Sequence, residues 1–459
     1  MGTLFGTDGV RDVANRGLTP ELAYRLGRAG AVSLPNDGRH RPVLVVGGDT
    51  RRSTGMLEAA VVAGINSAGA DALRVGVAPT PAVAYLTVSM EADAGIVISA
   101  SHNPAEYNGI KFFGPDGFKL PDATEDEIES RVLAGYHGQP GQASISEDDG
   151  LARPDGGGVG ESREIADAVE RYVRFAVGTA KARLDGLRVV LDCANGASSI
   201  TSPRAFRALG AEVVTVHDSP DGVNINVSCG STHPDALARA VVQNGADIGF
   251  AHDGDADRVI ACDADGNLVD GDQIMAMCAL HRVAMEELPG LAVVATAYSN
   301  LGLTHALRSA GCELVVAKNG DRYVLEEMRK RGLVLGGEQS GHIILLDKTT
   351  TGDGLITGIE VAGLVAGSGK PLSALARVMT KLPQVLVNVG VAKKDEFGSS
   401  ARIGTAIEEA QAALGDSGRI MVRPSGTEPL VRVMGEGADE QRVRALVEGL
   451  ARVIREELA

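Results

Sequence analysis

Four short loops in this chain of 459 residues hold side chains that can do chemistry. In Asp253-Gly254-Asp255-Ala256-Asp257-Arg258, three carboxylates at alternate positions of one turn can converge on a hard, oxygen-seeking cation. A calcium loop of the helix–loop–helix kind is excluded, because Arg258 and Ala264 stand where it needs Gly and Glu. Three carboxylates leave room for a phosphate, which suits magnesium; the competing reading is a solvated acidic turn ahead of a hairpin. Ser99-Ala100-Ser101-His102-Asn103-Pro104 offers two hydroxyls, with His102 adjacent and Lys111 downstream. Either serine can be an activated or phosphorylated hydroxyl, and either can instead cap its own turn. Gly337-Glu338-Gln339-Ser340-Gly341-His342 sets a carboxylate and a hydroxyl two residues apart, a spacing suited to vicinal sugar hydroxyls. His342 can act there as acid or base near neutral pH, or the whole loop can be a self-satisfied turn. Arg423-Pro424-Ser425-Gly426-Thr427-Glu428-Pro429 joins a guanidinium, two hydroxyls and exposed backbone N–H groups into a nest for a phosphate monoester, against the alternative of a plain Pro-Gly turn. Arg11, in Phe5-Gly6-Thr7-Asp8-Gly9-Val10-Arg11, adds one more cation.

These loops need elements to hold them. Apolar strands over Ala94 to Ile98 and Asp247 to Ala251 run into the serine and acidic loops, and a strand from Ile343 to Leu346 leaves the third loop. A weak repeat also runs through the chain. Val43-Leu44-Val45-Val46, Val189-Val190-Leu191-Asp192 and Ala292-Val293-Val294-Ala295 each open a unit of strand, small-residue helix and second strand. The second strands lie near Asp71 to Val75, Glu212 to Val214 and Glu313 to Val316. That is the form of a β-α-β unit, so three related α/β domains are expected. A smaller C-terminal α+β domain follows, with a strand from Gln384 to Val391 and helices over Ala401 to Leu414 and Val443 to Leu458. Joints are read at Gln139 to Glu161 and at Gly367-Ser368-Gly369-Lys370-Pro371, giving expected domains 1–153, 154–252, 253–367 and 368–459. The second joint is no nucleotide-binding loop, since Leu364 and Pro371 occupy positions that must be Gly and Ser or Thr.

Bulk composition narrows the partners. A net charge of -16 argues against nucleic acid and means that an anionic substrate must be drawn in by local cations. Without Trp and with 3% aromatics, the core has to be built from Val, Leu, Ile and Ala. Five widely spaced cysteines without a C-x-x-C pair predict buried thiols in a reducing compartment. No basic-then-apolar leader and no apolar run of about 20 residues is visible, so a cytoplasmic protein without membrane contact is expected.

Taken together and in order, Gly6 to Arg11, Ser99 to Pro104, Asp253 to Arg258, Gly337 to His342 and Arg423 to Pro429 resemble the α-D-phosphohexomutase superfamily. The resemblance spans essentially the whole chain and is closest to the branch that acts on glucosamine phosphates, where Gln339 stands in place of the Met common in the glucose and mannose branches. It implies four domains around a central cleft. It also implies Ser101 as the phosphorylated serine, and one Mg²⁺ held by Asp253, Asp255, Asp257 and the Ser101 phosphate. Arg11, Lys111 and Arg258 would surround the transferring phosphoryl group, with His102 and His342 completing the catalytic set. Glu338 and Ser340 would contact the sugar, and Arg423, Ser425, Gly426 and Thr427 the distal phosphate. The implied reaction interconverts glucosamine 6-phosphate and glucosamine 1-phosphate through glucosamine 1,6-bisphosphate, which also serves as activator, and feeds amino-sugar nucleotide and cell-wall precursor synthesis. A homodimer is compatible with it. Two positions depart from the branch pattern: Asp12, expected to weaken the pull of Arg11 on phosphate, and Asn319. The alternatives are a glucose or mannose phosphate mutase, a magnesium phosphohydrolase with an Asp nucleophile, and a sugar-phosphate sensor without catalysis.

Overall fold

The computed structural model of the chain describes residues 4–6, 8–33, 40–134, 136–137, 144–145, 151, 153–425 and 429–459. Its first sheet has the strand order Val10–Val13, Tyr107–Phe113, Ala94–Ile98, Val43–Gly48, Asp71–Val77, Ser162–Glu164. The last four strands run parallel and the first two antiparallel to their neighbours. Ala94–Ile98 is buried along its full length, as expected of a central strand with both faces covered. The helices Pro20–Ser33 and Arg52–Ser67 pack Leu22, Leu26, Leu57, Val61 and Ile65 onto this sheet's core.

The second sheet runs Glu212–Val216, Arg188–Asp192, Ile248–His252, Val259–Asp263, Leu268–Val269, with three parallel strands continued by an antiparallel hairpin. The third runs Glu313–Ala317, Ala292–Thr296, Leu335–Gly337, Ile343–Leu345. The fourth is antiparallel, in the order Gln384–Gly390, Leu430–Gly437, Gly418–Pro424, under the helices Ala401–Leu414 and Glu440–Glu457. Its core is aliphatic throughout, built on Val389, Val431, Val433, Val443 and Ile454. Each repeat read from the sequence is present as strand, helix and strand, and the α/β class with a small antiparallel C-terminal part stands.

The expected boundaries do not. A cut at 252/253 would sever the hairpin in which Ile248–His252 pairs with Val259–Asp263, so the acidic loop belongs to the second sheet. A cut at 153/154 would strip Ser162–Glu164 from the edge of the first sheet, where it pairs with Asp71–Val77. The supposed joint at Gly367 is the end of the helix Gly354–Ser368, closed by Gly369 at φ 64°, a left-handed cap that favours glycine. By compactness the chain forms two units, Met1–Ala297 with Val315–Ala376, and Tyr298–Leu314 with Arg377–Ala459. The helix of the third repeat, Leu301–Ser309, therefore goes with the C-terminal sheet. Local bonds explain this: Leu301 N donates to Glu436 Oε1 at 3.1 Å, and the Asn300 amide exchanges bonds with Leu382 at 2.9 and 3.0 Å. About half of the Gln139 to Glu161 linker lies outside the described residues. All five cysteines are buried and free.

Candidate active site

The serine loop leaves the carboxyl end of Ala94–Ile98, where open α/β sheets place their ligand sites. Its two hydroxyls have different fates. Ser99 Oγ donates to Asp49 Oδ2 at 2.6 Å and accepts from Ser101 N at 2.9 Å, so it is spent inside the loop. Ser101 stands at φ 51°, and its Oγ donates to Asp253 Oδ2 at 2.6 Å. The Ser101 carbonyl accepts from Arg51 Nη2 and Asn226 Nδ2, both at 2.9 Å, and these same two side chains also bind the Asn103 carbonyl. Asp49 orients Arg51 through Nε at 2.8 Å. Five polar groups thus hold the loop in its left-handed turn. His102 Nδ1 lies 3.4 Å from Ser101 Oγ; burial, then the Arg258 and Arg11 cations, push its pKa down to about 4.

The acidic loop follows the buried strand Ile248–His252. Asp253, Asp255 and Asp257 are buried and bring ligand oxygens within 4.8 Å of one another. The turn is pinned by its backbone: Gly254 O, Asp255 O and Ala256 O accept from Ala197 N, Thr80 N and Gly354 N at 2.8, 2.9 and 3.0 Å. A Cβ at position 254 would meet Ser101 O at 2.6 Å, so glycine is what lets the two loops approach. Burial, followed by the charges of Asp257 and Asp255, raises Asp253 far above the ordinary carboxylate range. Burial acts on Asp257 too, but His342 beside it, helped by Lys111 and Arg258, holds it low. Asp255 Oδ1 and Asp257 Oδ1 are buried without a hydrogen-bond partner. An all-oxygen donor set with two orphaned, buried oxygens fits a hard divalent cation.

The expected cations are nearby. Lys111 Nζ lies 2.9 Å from Asp255 Oδ2 and 3.1 Å from Asp8 Oδ2, and these two acids keep it protonated against its burial. Arg258 Nε lies 3.8 Å from Asp257 Oδ1. Arg11 pairs with Asp8. Asp12 is exposed, and its carboxylate accepts from Val13 N at 2.6 Å. His342 sits between Asp257 and Asp321, 3.6 Å from each. In the third loop Ser340 Oγ donates to Glu338 Oε2 at 3.3 Å, with both side chains reaching solvent.

Sequence reasoning missed the second layer. Asp8 and Asp321 flank Lys119, which bonds Asp8 Oδ1 at 2.5 Å and also Asp321. Asp8 sat inside a quoted motif, and Asp321 follows the departing Asn319, but Lys119 carries no local signal. Arg51 and Asn226 were missed for the same reason. In the C-terminal unit, the Arg423 guanidinium stacks over Tyr298 with its centre 4.9 Å from the ring centroid, and buried Ser425 donates its N–H to Leu430 O at 2.8 Å. Gly426 and Thr427 lie outside the described residues.

Three mixed sheets covered by helices and a small antiparallel sheet make up the fold, and a serine meets a carboxylate turn between two strand ends. Four domain signatures of phosphoglucomutase/phosphomannomutase match in order, α/β/α domain I at residues 2–137, domain II at 167–266, domain III at 270–382 and the C-terminal domain at 386–453, and the chain belongs to this family. Among its relatives, the phosphoglucosamine mutase of Moorella thermoacetica is 55% identical over 453 residues, covering 99% of both chains. That of Heliobacterium modesticaldum is 54% identical over 460 residues, covering 99% of this chain and all of the other. The fold is shared with a phosphoglucomutase/phosphomannomutase family protein from Burkholderia thailandensis (TM-score 0.79, 24% identity, 98% and 97% of the two chains). It is shared as well with the N-acetylphosphoglucosamine mutase of Aspergillus fumigatus (TM-score 0.70, 18% identity, 99% and 96%). No helix among the described residues is long and apolar enough to cross a membrane.

Proposed function

We propose that this chain interconverts glucosamine 6-phosphate and glucosamine 1-phosphate, using a phosphate carried on Ser101. The observation that carries the reading is the 2.6 Å bond from Ser101 Oγ to Asp253, one of three buried carboxylates with oxygens to spare. The identity with relatives named phosphoglucosamine mutase supports the choice of sugar.

In the first half-reaction the bond from phosphorus to Ser101 Oγ breaks, a bond to the sugar O1 forms, and the O1 proton leaves to a base. The product is glucosamine 1,6-bisphosphate. After it turns round, the O6–phosphorus bond breaks as a bond from phosphorus to Ser101 Oγ forms, the serine proton leaves to a base, and O6 takes up a proton. Such transfers depend on positioning and on charge stabilisation. Asp253, Asp255, Asp257 and the Ser101 phosphate would hold Mg²⁺, which supplies Lewis-acid neutralisation of the phosphoryl oxygens. Lys111, Arg11 and Arg258 add fixed positive charge. Arg51 and Asn226 keep the serine loop from relaxing. Glu338 and Ser340 take the sugar hydroxyls, and Arg423, Ser425, Gly426 and Thr427 bind a phosphate.

The test is phosphorus NMR of the protein with glucosamine 6-phosphate, Mg²⁺ and a trace of bisphosphate. The 1-phosphate resonance should grow to equilibrium, and Ser101→Ala should leave it absent. Release of inorganic phosphate that survives Ser101→Ala would instead favour an Asp-nucleophile hydrolase.

A further inference from the structure

A second group of metal-type donors plays no part in the proposed transfer. Asp192 ends the strand Arg188–Asp192, and His217 follows its parallel neighbour Glu212–Val216, in which Val216 is the register partner of Asp192. The topology therefore sets positions 192 and 217 side by side at one sheet edge, and the loop after them brings in Cys229. A carboxylate oxygen, an imidazole nitrogen and a thiol sulfur from these residues all lie within 4.8 Å of one another. Donors around a tetrahedral zinc sit roughly 3.3–3.8 Å apart, so only a small closure separates this arrangement from a coordination shell.

The surroundings are organised around that point. The Asp192 oxygens accept from Ala194 N and Gly230 N, each at 3.0 Å, which fixes the carboxylate as outer-shell bonds fix a metal ligand. His217 holds a left-handed backbone at φ 48°, and its Nδ1 lies 3.1 Å from Asp192 Oδ1, buried yet without an aligned hydrogen bond. Cys229 is fully buried, while the His217 side chain is 33% exposed, which leaves one approach from solvent.

We propose that Asp192, His217 and Cys229 form a site for a borderline-soft divalent cation of the zinc type, separate from the all-oxygen site at Asp253 to Asp257. Binding forms a sulfur–metal bond as the thiol proton passes to solvent, and water takes the fourth position past His217. Ligand chemistry sorts the two sites: oxygen alone selects Mg²⁺, whereas nitrogen and sulfur select the softer ion.

The test uses the full chain, stripped by a chelator, saturated with Mg²⁺ and titrated with Co²⁺ as the spectroscopic probe. One equivalent should bring up a thiolate-to-cobalt charge-transfer band with the visible bands of tetrahedral cobalt. Cys229→Ser should abolish the charge-transfer band, and His217→Gly should weaken Co²⁺ binding at least about tenfold. Glycine suits φ 48°, so the second variant folds without strain and keeps the test valid if the first does not. Absence of the band in the wild type, or an unchanged band in both variants, overturns the site and leaves a plain His–Asp ion pair beside a buried thiol. Turnover is not read at any step, so failure here is distinct from failure of the mutase reading.

Discussion

In the acidic turn, three carboxylates share one buried spot and two of their oxygens find no donor; around Lys119, a few ångströms of side chain away through Lys111, every charge meets its opposite. Asp8 and Asp321 both pair with Lys119. Both clusters are buried and both carry charge that costs several kcal/mol per ion to desolvate. The completed cluster is scaffold, since its partners are all supplied by the chain. On the proposed reading the incomplete one is the site, with its missing partner supplied from outside the chain.

The comparison breaks first at Ser101. If the acidic turn faces a reacting group, Ser101→Ala should lower turnover on the order of 10⁴-fold or more, with the melting temperature little changed. A variant that melts much lower while keeping activity would make the serine a scaffold residue after all. The converse substitution is Lys119→Met. It strands Asp8 and Asp321 against each other, and removing one partner of a buried ion pair costs about 3–5 kcal/mol, read by denaturant unfolding. That loss should be the same with and without substrate.

Local pattern shows some of this and hides the rest. Asp253, Asp255 and Asp257 were legible because a buried apolar strand running straight into alternating carboxylates is hard to explain as a surface turn. The strand–helix–strand repeats were legible because each fits within about 30 residues. Lys119 was not, because its partners lie 111 and 202 positions away. Spacing likewise could not separate Ser99 from Ser101; the family resemblance favours Ser101, and the tertiary bond of Ser99 to Asp49 agrees with that choice. The boundary at 252/253 failed because antiparallel pairing across the acidic turn makes it a hairpin tip, which the strand–helix–strand repeats do not mark. The helix Leu301–Ser309 was read correctly as a helix, yet its company was set by Asn300 and Glu436, which no local period reveals.

Metal sharpens the comparison next. Mg²⁺ at about 100 times its dissociation constant should stabilise the wild type by about 2.7 kcal/mol. Asp253→Asn keeps the bond from Ser101 but removes the group whose ionisation burial and its two acidic neighbours oppose. The metal-free variant should therefore be at least as stable as the metal-free wild type, while most of the Mg²⁺ gain disappears. Equal Mg²⁺ stabilisation of both proteins in thermal unfolding would remove Asp253 from the cation site.

The smallest effect concerns Asp353, a carboxylate at the rim of the acidic cluster whose partners are neutral. It caps the helix Gly354–Ser368 by accepting from Ile356 N at 2.9 Å and takes the Tyr172 hydroxyl at 2.9 and 3.0 Å. Burial raises its pKa from 3.8 to about 6, because these neutral donors offset only part of the lost hydration. Between pH 4 and 6 the folded chain thus keeps a proton that the unfolded chain has released, so stability falls as pH rises across that window. Asp353→Asn preserves the cap and the tyrosine bond without the charge. In saturating Mg²⁺, which removes the titration of the acidic turn, the variant should gain about 3 kcal/mol over wild type at pH 7 and almost nothing at pH 4. A difference that does not change with pH would mean that Asp353 is compensated as fully as the Lys119 cluster, and the line between scaffold and site would have to be drawn inside its position.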